Sequence, residues 1–333
     1  MNDSELLRKG ARGLERYYKV IPKLRKGRAL TPAHFGCLEG IPTINITNGC
    51  LFQCTYCYAR GYSQAPNVGE IQLYVNLPNL LEEELLRKKV IPQWVILNTS
   101  SDCFQHHPDI LHITYEVIRI LLDHGIGISF LTKGLIPRRF FDLLRISPER
   151  ILTQVGLVSL SGRYWKEYEP GTPSPEKRLE NIEQLKKIGN TPEVRVDPII
   201  PFITDTEAEV TALFRRLQEM DVKRVTLSYL HLRPAIFQQL MEELSPLHRS
   251  LMESCFRTQE WKVVGSSTKT KLLPKTIREK GYQRIKEIGE RFGIIASICQ
   301  CKNPDLKGDL CSSGRVKAVL GKRTPAQLPL FRC

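Results

Sequence analysis

The sequence has no apolar run long enough to span a membrane. A transmembrane helix needs about 20 consecutive apolar residues, and charged side chains interrupt every apolar stretch of this 333-residue chain well before that length. The first residues also lack the apolar segment of a secretory signal peptide, since Asp3, Glu5 and Arg8 interrupt them. We therefore expect a protein of the reducing cytoplasm that has no membrane partner.

Disulfides are rare in the cytoplasm, so the ten cysteines point to metal or redox chemistry. Cys50, Cys54 and Cys57 follow at spacings of four and three residues, and no fourth cysteine follows nearby. Thiolates are soft ligands that select iron–sulfur clusters or zinc, but a structural zinc normally takes four protein ligands. Three thiolates would leave one iron of a four-iron cluster open to a cofactor or substrate. The pattern favours a [4Fe–4S] cluster, and a zinc knuckle or chance spacing is the alternative.

Acidic residues are too few to balance the basic ones. The chain has 35 Asp and Glu against 49 Lys and Arg, which gives a net charge of +14 and a pI near 9.3. The first 30 residues are especially basic, and Leu6, Leu7 and Leu14 predict a short helix with an apolar face there. Such a charge balance favours a polyanionic partner, most often nucleic acid. The alternative is a generally basic, solvated surface.

Strand-like runs alternate with helical stretches from about residue 42 onward. Repeated strand–helix units predict parallel strands covered by helices, an α/β fold. Where such strand–helix units form a barrel, the catalytic residues lie at the carboxyl ends of the strands. The predicted strands are Pro42–Thr47, Gln93–Asn98, Gly127–Thr132, Ile151–Ser159, Glu193–Ile199 and Val222–Tyr229, and the helices between them include Leu80–Lys89, Pro108–His124, Pro175–Ile188 and Asp205–Met220.

Polar side chains stand at the ends of several predicted strands, where a cofactor would lie. Hydroxyl, amide and carboxylate groups can hydrogen-bond an ammonium, and a lysine or arginine can pair with a carboxylate. The structural alternatives are a polar turn, a solvated loop lysine and a buried ion pair. The residues are Asn98, Ser101 and Asp102 at the second strand, Lys133 after the third, Ser159 at the fourth and Arg195 in the fifth.

Several motifs together resemble the spore photoproduct lyase-like family of the radical S-adenosylmethionine (SAM) superfamily, over roughly residues 35 to 235. They are Cys50-x-x-x-Cys54-x-Tyr56-Cys57-Tyr58, Ser101-Asp102, Leu131-Thr132-Lys133, Glu169-Pro170-x-x-Pro173 with Arg178, and Arg195-Val196-Asp197-Pro198. The resemblance implies a partial (β/α)6 barrel. We predict a basic N-terminal arm at 1–35, the barrel at 36–235 and a helical, cysteine-rich C-terminal region at 236–333.

The resemblance also implies a cofactor set and roles for residues. Cys50, Cys54 and Cys57 would ligate the [4Fe–4S] cluster, SAM would chelate the open iron, and an electron from a partner such as flavodoxin or ferredoxin would cleave SAM to a 5′-deoxyadenosyl radical. Tyr56 would contact the adenine and Lys133 the SAM carboxylate. Further candidates for SAM binding are Tyr58, Asn98, Ser101, Asp102, Ser159 and Arg195. The Gly-Gly-Glu that many superfamily members carry after the second strand is absent.

The namesake of that family abstracts hydrogen from a methylene-bridged thymine dimer, and a cysteine returns hydrogen to the product. That cysteine precedes a Thr-Ser-Asp segment. Here Thr99 takes its place, and Cys103 lies four residues further on as a displaced catalytic donor or as a buried core thiol. We expect a radical SAM enzyme that acts on nucleic acid, with DNA favoured and a role in lesion repair. The alternatives are peptide or protein modification and a non-enzymatic iron–sulfur or zinc protein that binds nucleic acid.

The C-terminal tail carries a second set of cysteines: Cys299, Cys301 and Cys311. They predict a half-closed metal site whose fourth ligand would be Cys37, Cys255, Cys333 or a histidine. Iron–sulfur ligation would make it an auxiliary cluster and zinc would make it a structural clasp. Three unrelated buried thiols are the alternative.

Overall fold

The computed structural model describes residues 5–9, 15–34, 36–264 and 269–308. Its strands are β1 (Glu5–Lys9), β2 (Glu15–Lys23), β3 (Thr31–Pro32), β4 (Pro42–Ile44), β5 (Thr47–Asn48), β6 (Glu70–Tyr74), β7 (Trp94–Leu97), β8 (Gly127–Thr132), β9 (Ile151–Gly156), β10 (Glu193–Ile199), β11 (Arg224–Tyr229), β12 (Lys262–Val263), β13 (Lys269–Thr270) and β14 (Ile295–Ile298). Its helices are α1 (Leu77–Arg87), α2 (Pro108–Asp123), α3 (Arg138–Leu144), α4 (Gly162–Tyr168), α5 (Pro175–Lys187), α6 (Glu207–Glu219), α7 (Pro234–Glu243), α8 (Pro246–Phe256) and α9 (Lys275–Arg291).

The main sheet has the strand order β14-β11-β10-β9-β8-β7-β4-β3. The pairs from β4 to β14 are all parallel, and only β3 runs antiparallel, against β4. Helices between the strands bury an apolar stripe; in α2 this stripe includes Ile110, Val117 and Leu121. The predicted α/β alternation and parallel sheet are confirmed. Among the described residues no strand pairing joins β14 to β3, so the barrel is partial.

The C-terminal region contributes a seventh parallel strand. β14 pairs with β11 in the register Arg224↔Ile295 to Leu227↔Ile298, and no strand was among the elements that the sequence predicted for this helical, cysteine-rich region. The first predicted strand, Pro42–Thr47, is in turn divided between two sheets. β4 joins the main sheet, and β5 pairs with β6 in a smaller one.

The predicted helix in the basic arm is wrong, because Leu6 and Leu7 lie in strand β1. Leu14 lies outside the described residues. β1 pairs antiparallel with β2, and β2 pairs parallel with β6, so the small sheet has the order β1-β2-β6-β5. In β2, Tyr18 and Val20 are buried and Lys19 is exposed, which is the alternation of a half-buried strand. Pairing with β6 therefore decided the conformation of this segment.

No helix in the described part of the chain is long and apolar enough to cross a membrane.

Candidate active site

The cysteine loop, residues 50–58, follows β5 and is held by side chains from three other segments. Gln105 Oε1 accepts the Leu51 N–H at 2.7 Å. Gln239 of α7 donates to the carbonyls of Thr55 and Cys57 at 3.3 and 3.1 Å, and the Thr55 N–H donates to the Tyr168 carbonyl at 3.0 Å. The loop conformation is thus held by elements distant in sequence.

Gly171 packs directly against this loop. Its N–H donates to the Phe52 carbonyl at 3.2 Å. A Cβ at this position would lie 2.4 Å from the Phe52 carbonyl oxygen and 2.7 Å from that of Leu51. Any larger residue would push the cysteine loop out of place, because both clashing atoms belong to the backbone.

The three thiols of the loop fit a cluster better than a single zinc ion. Cys54 is buried, and Cys50 and Cys57 are partly exposed. Their three sulfurs do not all lie within 4.8 Å of one another. Among the described residues, the group that meets this limit is formed by other cysteines, Cys37, Cys299 and Cys301. Thiolates on one tetrahedral zinc would lie about 3.8 Å apart, given Zn–S bonds of about 2.3 Å. Soft thiolates with a wider separation suit the separate irons of a cluster.

Burial favours the protonated form of two of these thiols, Cys50 and Cys54. It raises the pKa of Cys54 to about 12, and the nearby Glu169 carboxylate adds to the effect. Burial also raises the pKa of Cys50 well above its ordinary value, with Asp102 contributing. Metal ligation must therefore release protons, as is usual for thiolate sites.

Behind the loop lies a buried network that the motif Glu169-Pro170-x-x-Pro173 with Arg178 had marked without giving it a role. Tyr56 Oη donates to Glu169 Oε1, and Arg178 Nη2 lies 2.6 Å from Glu169 Oε2. Both members of the ion pair have side chains that are only 1% exposed. Arg178 also donates to the carbonyls of Gly156 and Pro173 at 2.9 and 3.0 Å. Burial alone would raise the pKa of Glu169, but Arg178 and then Lys133 outweigh it and the pKa falls below its ordinary value.

Asn98, Ser101 and Asp102 lie beside the cysteine loop, and each of them is held by hydrogen bonds within the protein. Asn98 Nδ2 donates to Ser101 Oγ at 2.8 Å. The Asp102 carboxylate accepts from the backbone N–H groups of Phe104 and Lys133, both at 2.8 Å, and from Thr132 Oγ1. These bonds tie the end of β7 to the end of β8. Contact with SAM stays a prediction for all three residues.

Tyr56 and Lys133 are brought together next to the loop. Lys133 Nζ lies 5.6 Å from the centre of the Tyr56 ring and 3.4 Å from the Asp197 carbonyl oxygen. Its alkyl stem crosses Gly156, where a Cβ would meet Lys133 Cγ at 2.7 Å. A partly buried ammonium beside an aromatic ring fits a bound carboxylate, so the Lys133 assignment stays a prediction that the geometry favours.

The remaining SAM candidates have protein partners. Tyr58 Oη donates to the Thr99 carbonyl at 2.6 Å, and Ser159 Oγ donates to Glu209 Oε2 at 2.5 Å. Arg195 forms an ion pair with Asp197 at 2.8 Å. These contacts are the structural alternatives that the sequence left open, and the cofactor roles of these three residues stay predictions.

Lys302, from the C-terminal region, also binds Asp197, at 2.7 Å. Burial would raise the pKa of Asp197, but Lys302 and Arg195 lower it to about 2. No sequence motif marked this contact.

Cys103 is fully buried in the hydrophobic core. Its carbonyl accepts from Thr114 Oγ1 of α2 at 2.9 Å. The catalytic role stays a prediction, and the burial favours a packing role. We therefore expect Cys103→Ala to keep the iron content and the ratio of products formed from an oligonucleotide substrate, and to lower the free energy of unfolding by about 1 kcal/mol. Adducts or misquenched products from the cluster-loaded variant would instead make Cys103 the hydrogen donor.

In the tail, Cys299 and Cys301 lie with Cys37, one of the four candidate partners. The Sγ atoms of all three are within 4.8 Å of one another. Cys255 lies in α8 and is not part of this group. Cys311 and Cys333 lie outside the described residues.

An open parallel sheet with a three-thiol loop at its carboxyl edge is the architecture of a radical SAM enzyme. The family model described as the radical SAM superfamily matches residues 44–231, more than half of the chain. The chain belongs to this superfamily, whose members use a [4Fe–4S] cluster and SAM.

Sequence relatives include an uncharacterized protein of Mycobacterium tuberculosis, 26% identical over 219 residues. That match covers 63% of this chain and 64% of the relative, so it spans less than two thirds of either protein. The radical SAM Nα-GlyT isomerase of Pseudomonas phage M6 is 21% identical over 294 residues, which are 87% of this chain and 59% of the isomerase.

Among solved structures, spore photoproduct lyase complexed with dinucleoside spore photoproduct superposes with a TM-score of 0.62 at 16% identity. A mutant of that lyase with bound AdoMet and the same dinucleoside gives 0.63 at 14% identity. Both superpositions cover 83% of this chain and 81% of the lyase. At this identity the likeness shows the shared fold.

Proposed function

We propose that this radical SAM enzyme acts on a nucleic acid, with DNA favoured, by abstracting hydrogen from a base or sugar. The observation that carries the proposal is a basic face on the small sheet that leads into the cysteine loop. We call it the basic sheet face and define it by Lys19, Lys23, Arg25, Gln72 and Tyr74.

The residues of the basic sheet face are connected across three strands. β2 and β6 pair in the register Lys19↔Glu70 to Lys23↔Tyr74, which places Lys19, Lys23, Gln72 and Tyr74 on one face. Lys23 Nζ donates to Gln72 Oε1 at 2.7 Å, and Asn48 Nδ2 of β5 donates to the same oxygen at 3.2 Å. Asn48 is two residues before Cys50. The basic surface therefore reaches the edge of the candidate active site.

Aromatic and cationic groups are combined on this face, as nucleic-acid surfaces require. The Arg25 guanidinium lies 5.3 Å from the centre of the Tyr74 ring, and Lys19 and Lys23 are exposed. Cations can contact phosphates and aromatic rings can stack on bases. The acid on the face, Glu70, accepts a hydrogen bond from Asn67 at 3.1 Å.

The relatives support the same substrate class. The lyase structures carry a dinucleoside spore photoproduct, and reaction on a DNA lesion is the finer proposal for this chain. When bound, the cluster and SAM supply a 5′-deoxyadenosyl radical, with an electron from a partner such as flavodoxin or ferredoxin. In this chain Cys50, Cys54 and Cys57 would hold the cluster, Lys133 would bind the SAM carboxylate, and Tyr56 would contact the adenine.

We expect Lys19→Gln/Lys23→Gln to weaken oligonucleotide binding and to flatten its dependence on salt. Each lost phosphate contact should reduce the slope of log K against log salt by about 0.9 on duplex DNA or about 0.7 on a single strand. Fluorescence anisotropy at several salt concentrations measures this slope. The matched control is Lys187→Gln. Lys187 is exposed at the end of α5 that leads into β10, away from the carboxyl edge of the sheet. Its replacement should therefore leave the salt slope unchanged.

The chemical step has its own test. The reconstituted enzyme should transfer deuterium from labelled oligonucleotides into 5′-deoxyadenosine, detected by mass spectrometry. Transfer from labelled peptides and not from oligonucleotides would overturn the nucleic-acid proposal and favour peptide modification.

A further inference from the structure

Three cysteines, one that follows β3 and two that follow β14, meet where the two edges of the open sheet approach each other. Cys37 lies in the turn Gly36–Leu38, after the edge strand β3. Cys299 and Cys301 follow β14, the strand at the opposite edge. The Sγ atom of Cys301 lies 3.5 Å from that of Cys37 and 3.2 Å from that of Cys299.

These distances fit one metal ion bound by three thiolates. A tetrahedral zinc with Zn–S bonds of about 2.3 Å separates its sulfurs by about 3.8 Å. Thiolates on different irons of a four-iron cluster are held further apart, because several cluster atoms lie between them. A disulfide is a poorer match, since an S–S bond is about 2.05 Å long.

We propose that Cys37, Cys299 and Cys301 bind a zinc ion that clasps the two edges of the partial barrel together. The site is separate from the cysteine loop of residues 50–58 and from the proposed reaction on nucleic acid. Zinc suits such a site because it accepts thiolates in a closed tetrahedron and does not change its oxidation state.

The surroundings of the thiols match those of a metal–thiolate centre. Arg195 Nη2 lies 4.0 Å from Cys299 Sγ in a hydrogen bond, and a backbone hydrogen bond from Cys37 reaches the Cys301 thiol. Cations and N–H donors of this kind stabilise and orient thiolate ligands. Three thiolates and Zn²⁺ carry a net charge of −1, which Arg195 would partly neutralise.

The backbone around the site is built for this close approach. Gly36 has a φ of +51°, and a Cβ there would lie 2.6 Å from Cys301 Cβ. The Cys299 N–H donates to the Leu227 carbonyl of β11 at 3.1 Å, and Asn303 Nδ2 donates to the Cys299 carbonyl at 3.0 Å. The turn that carries Cys299 and Cys301 is therefore fixed before metal binds.

The clasp also connects to the candidate active site. Arg195 contacts both Cys299 and Asp197. Asp197 in turn binds Lys302, and its carbonyl accepts from Lys133. A metal that fixes Cys299 would therefore help to hold the side of the site on which Lys133 lies.

Metal analysis of the full-length protein tests the zinc site. Variant chains with Cys50, Cys54 and Cys57 all replaced by alanine should retain about one zinc per chain and no iron. This triple variant keeps all three clasp cysteines. After its zinc is removed, added cobalt should give thiolate-to-cobalt charge-transfer bands and tetrahedral d–d bands. Iron and sulfide in the triple variant, or a chain with neither zinc nor cobalt–thiolate bands, would overturn the proposal.

Cys37→Ser should lose the zinc, whereas Cys255→Ser should keep it, because Cys255 belongs to neither thiol group. Amide hydrogen exchange then tests the clasp. In Cys37→Ser, or after chelation, exchange should become faster in Ile295–Ile298 and in the turn at Cys37, with the cluster iron of residues 50–57 unchanged. The proposed clasp would be wrong if Cys37→Ser retained its zinc, or if amide exchange were identical with and without zinc.

Discussion

Cys54→Ala should abolish the [4Fe–4S] cluster and, with it, the reductive cleavage of SAM. Cys54 is the buried member of the three thiols in the loop, so neither solvent nor a neighbouring side chain can easily replace it as a ligand. Two thiolates would remain for a cluster that needs three in this motif. The expected result is iron at background, no visible thiolate-to-iron absorbance and no 5′-deoxyadenosine.

Cys255→Ala is the matched control for removal of a buried cysteine. Cys255 lies in α8 and packs in the core, so its loss should leave the iron content and SAM cleavage intact. If the Cys54→Ala protein still produced 5′-deoxyadenosine after anaerobic reconstitution, the cluster assignment to this loop would be wrong.

Arg178→Met should be the most destabilising single change near the site. It leaves the carboxylate of Glu169 buried without the partner that lies 2.6 Å away. Removal of one member of a buried ion pair typically costs about 3–5 kcal/mol, because the other charge stays uncompensated. Glu169 also accepts from Tyr56 of the cysteine loop, so we expect a lower iron content as well. Urea denaturation and iron analysis measure the two effects.

A double-mutant cycle separates the ion pair from simple packing. Arg178→Met/Glu169→Gln should recover a large part of the lost stability, since no uncompensated charge remains. Arg119→Met on the exposed face of α2 removes an arginine that pairs with Glu116 and Asp123 at 2.9 Å. Such exposed pairs contribute about 0–1 kcal/mol. Equal losses for Arg178→Met and Arg119→Met would contradict the importance of the buried pair.

Because of the Glu169–Arg178 ion pair, the stability of the wild type and that of Arg178→Met should depend on pH in opposite directions. In the wild type the pKa of folded Glu169 is below its ordinary value because Arg178 and Lys133 outweigh burial. Its stabilisation is therefore present above the unfolded pKa and is lost as the pH falls through the folded value. In Arg178→Met burial should dominate and raise that pKa, so the variant should lose stability as the pH rises above the unfolded value. Denaturation midpoints from about pH 3 to about pH 7, a range that extends below the ordinary Glu pKa, test the difference.

The cysteine motif and the strand–helix alternation could be predicted from the sequence because both are local signals. Cys50, Cys54 and Cys57 lie within one loop, and the strands from β7 to β11 are short segments rich in aliphatic and β-branched residues that alternate with helical stretches. The Ser174-Pro175 pair at the start of α5 is a local helix-start pattern, and Ser174 Oγ accepts the Lys177 N–H at 3.4 Å.

Pairing between distant segments decided what local patterns could not. The basic arm became strands because β6 offers β2 a partner, and Pro42–Thr47 divided because its two ends pair with different sheets. The Glu169–Arg178 pair needed the turn between α4 and α5 to fold back on the cysteine loop.

The second thiol group shows this limit most clearly. Cys299 and Cys301 marked a metal site in the sequence, but the choice of Cys37 over Cys255 required the fold. Cys37 and Cys301 are 264 residues apart and meet only because β3 and β14 form opposite edges of a sheet that curves back on itself. The sequence by itself determined the cofactor chemistry of this protein, and the tertiary structure decided which side chains surround it, because strand order and curvature are properties of the whole sheet.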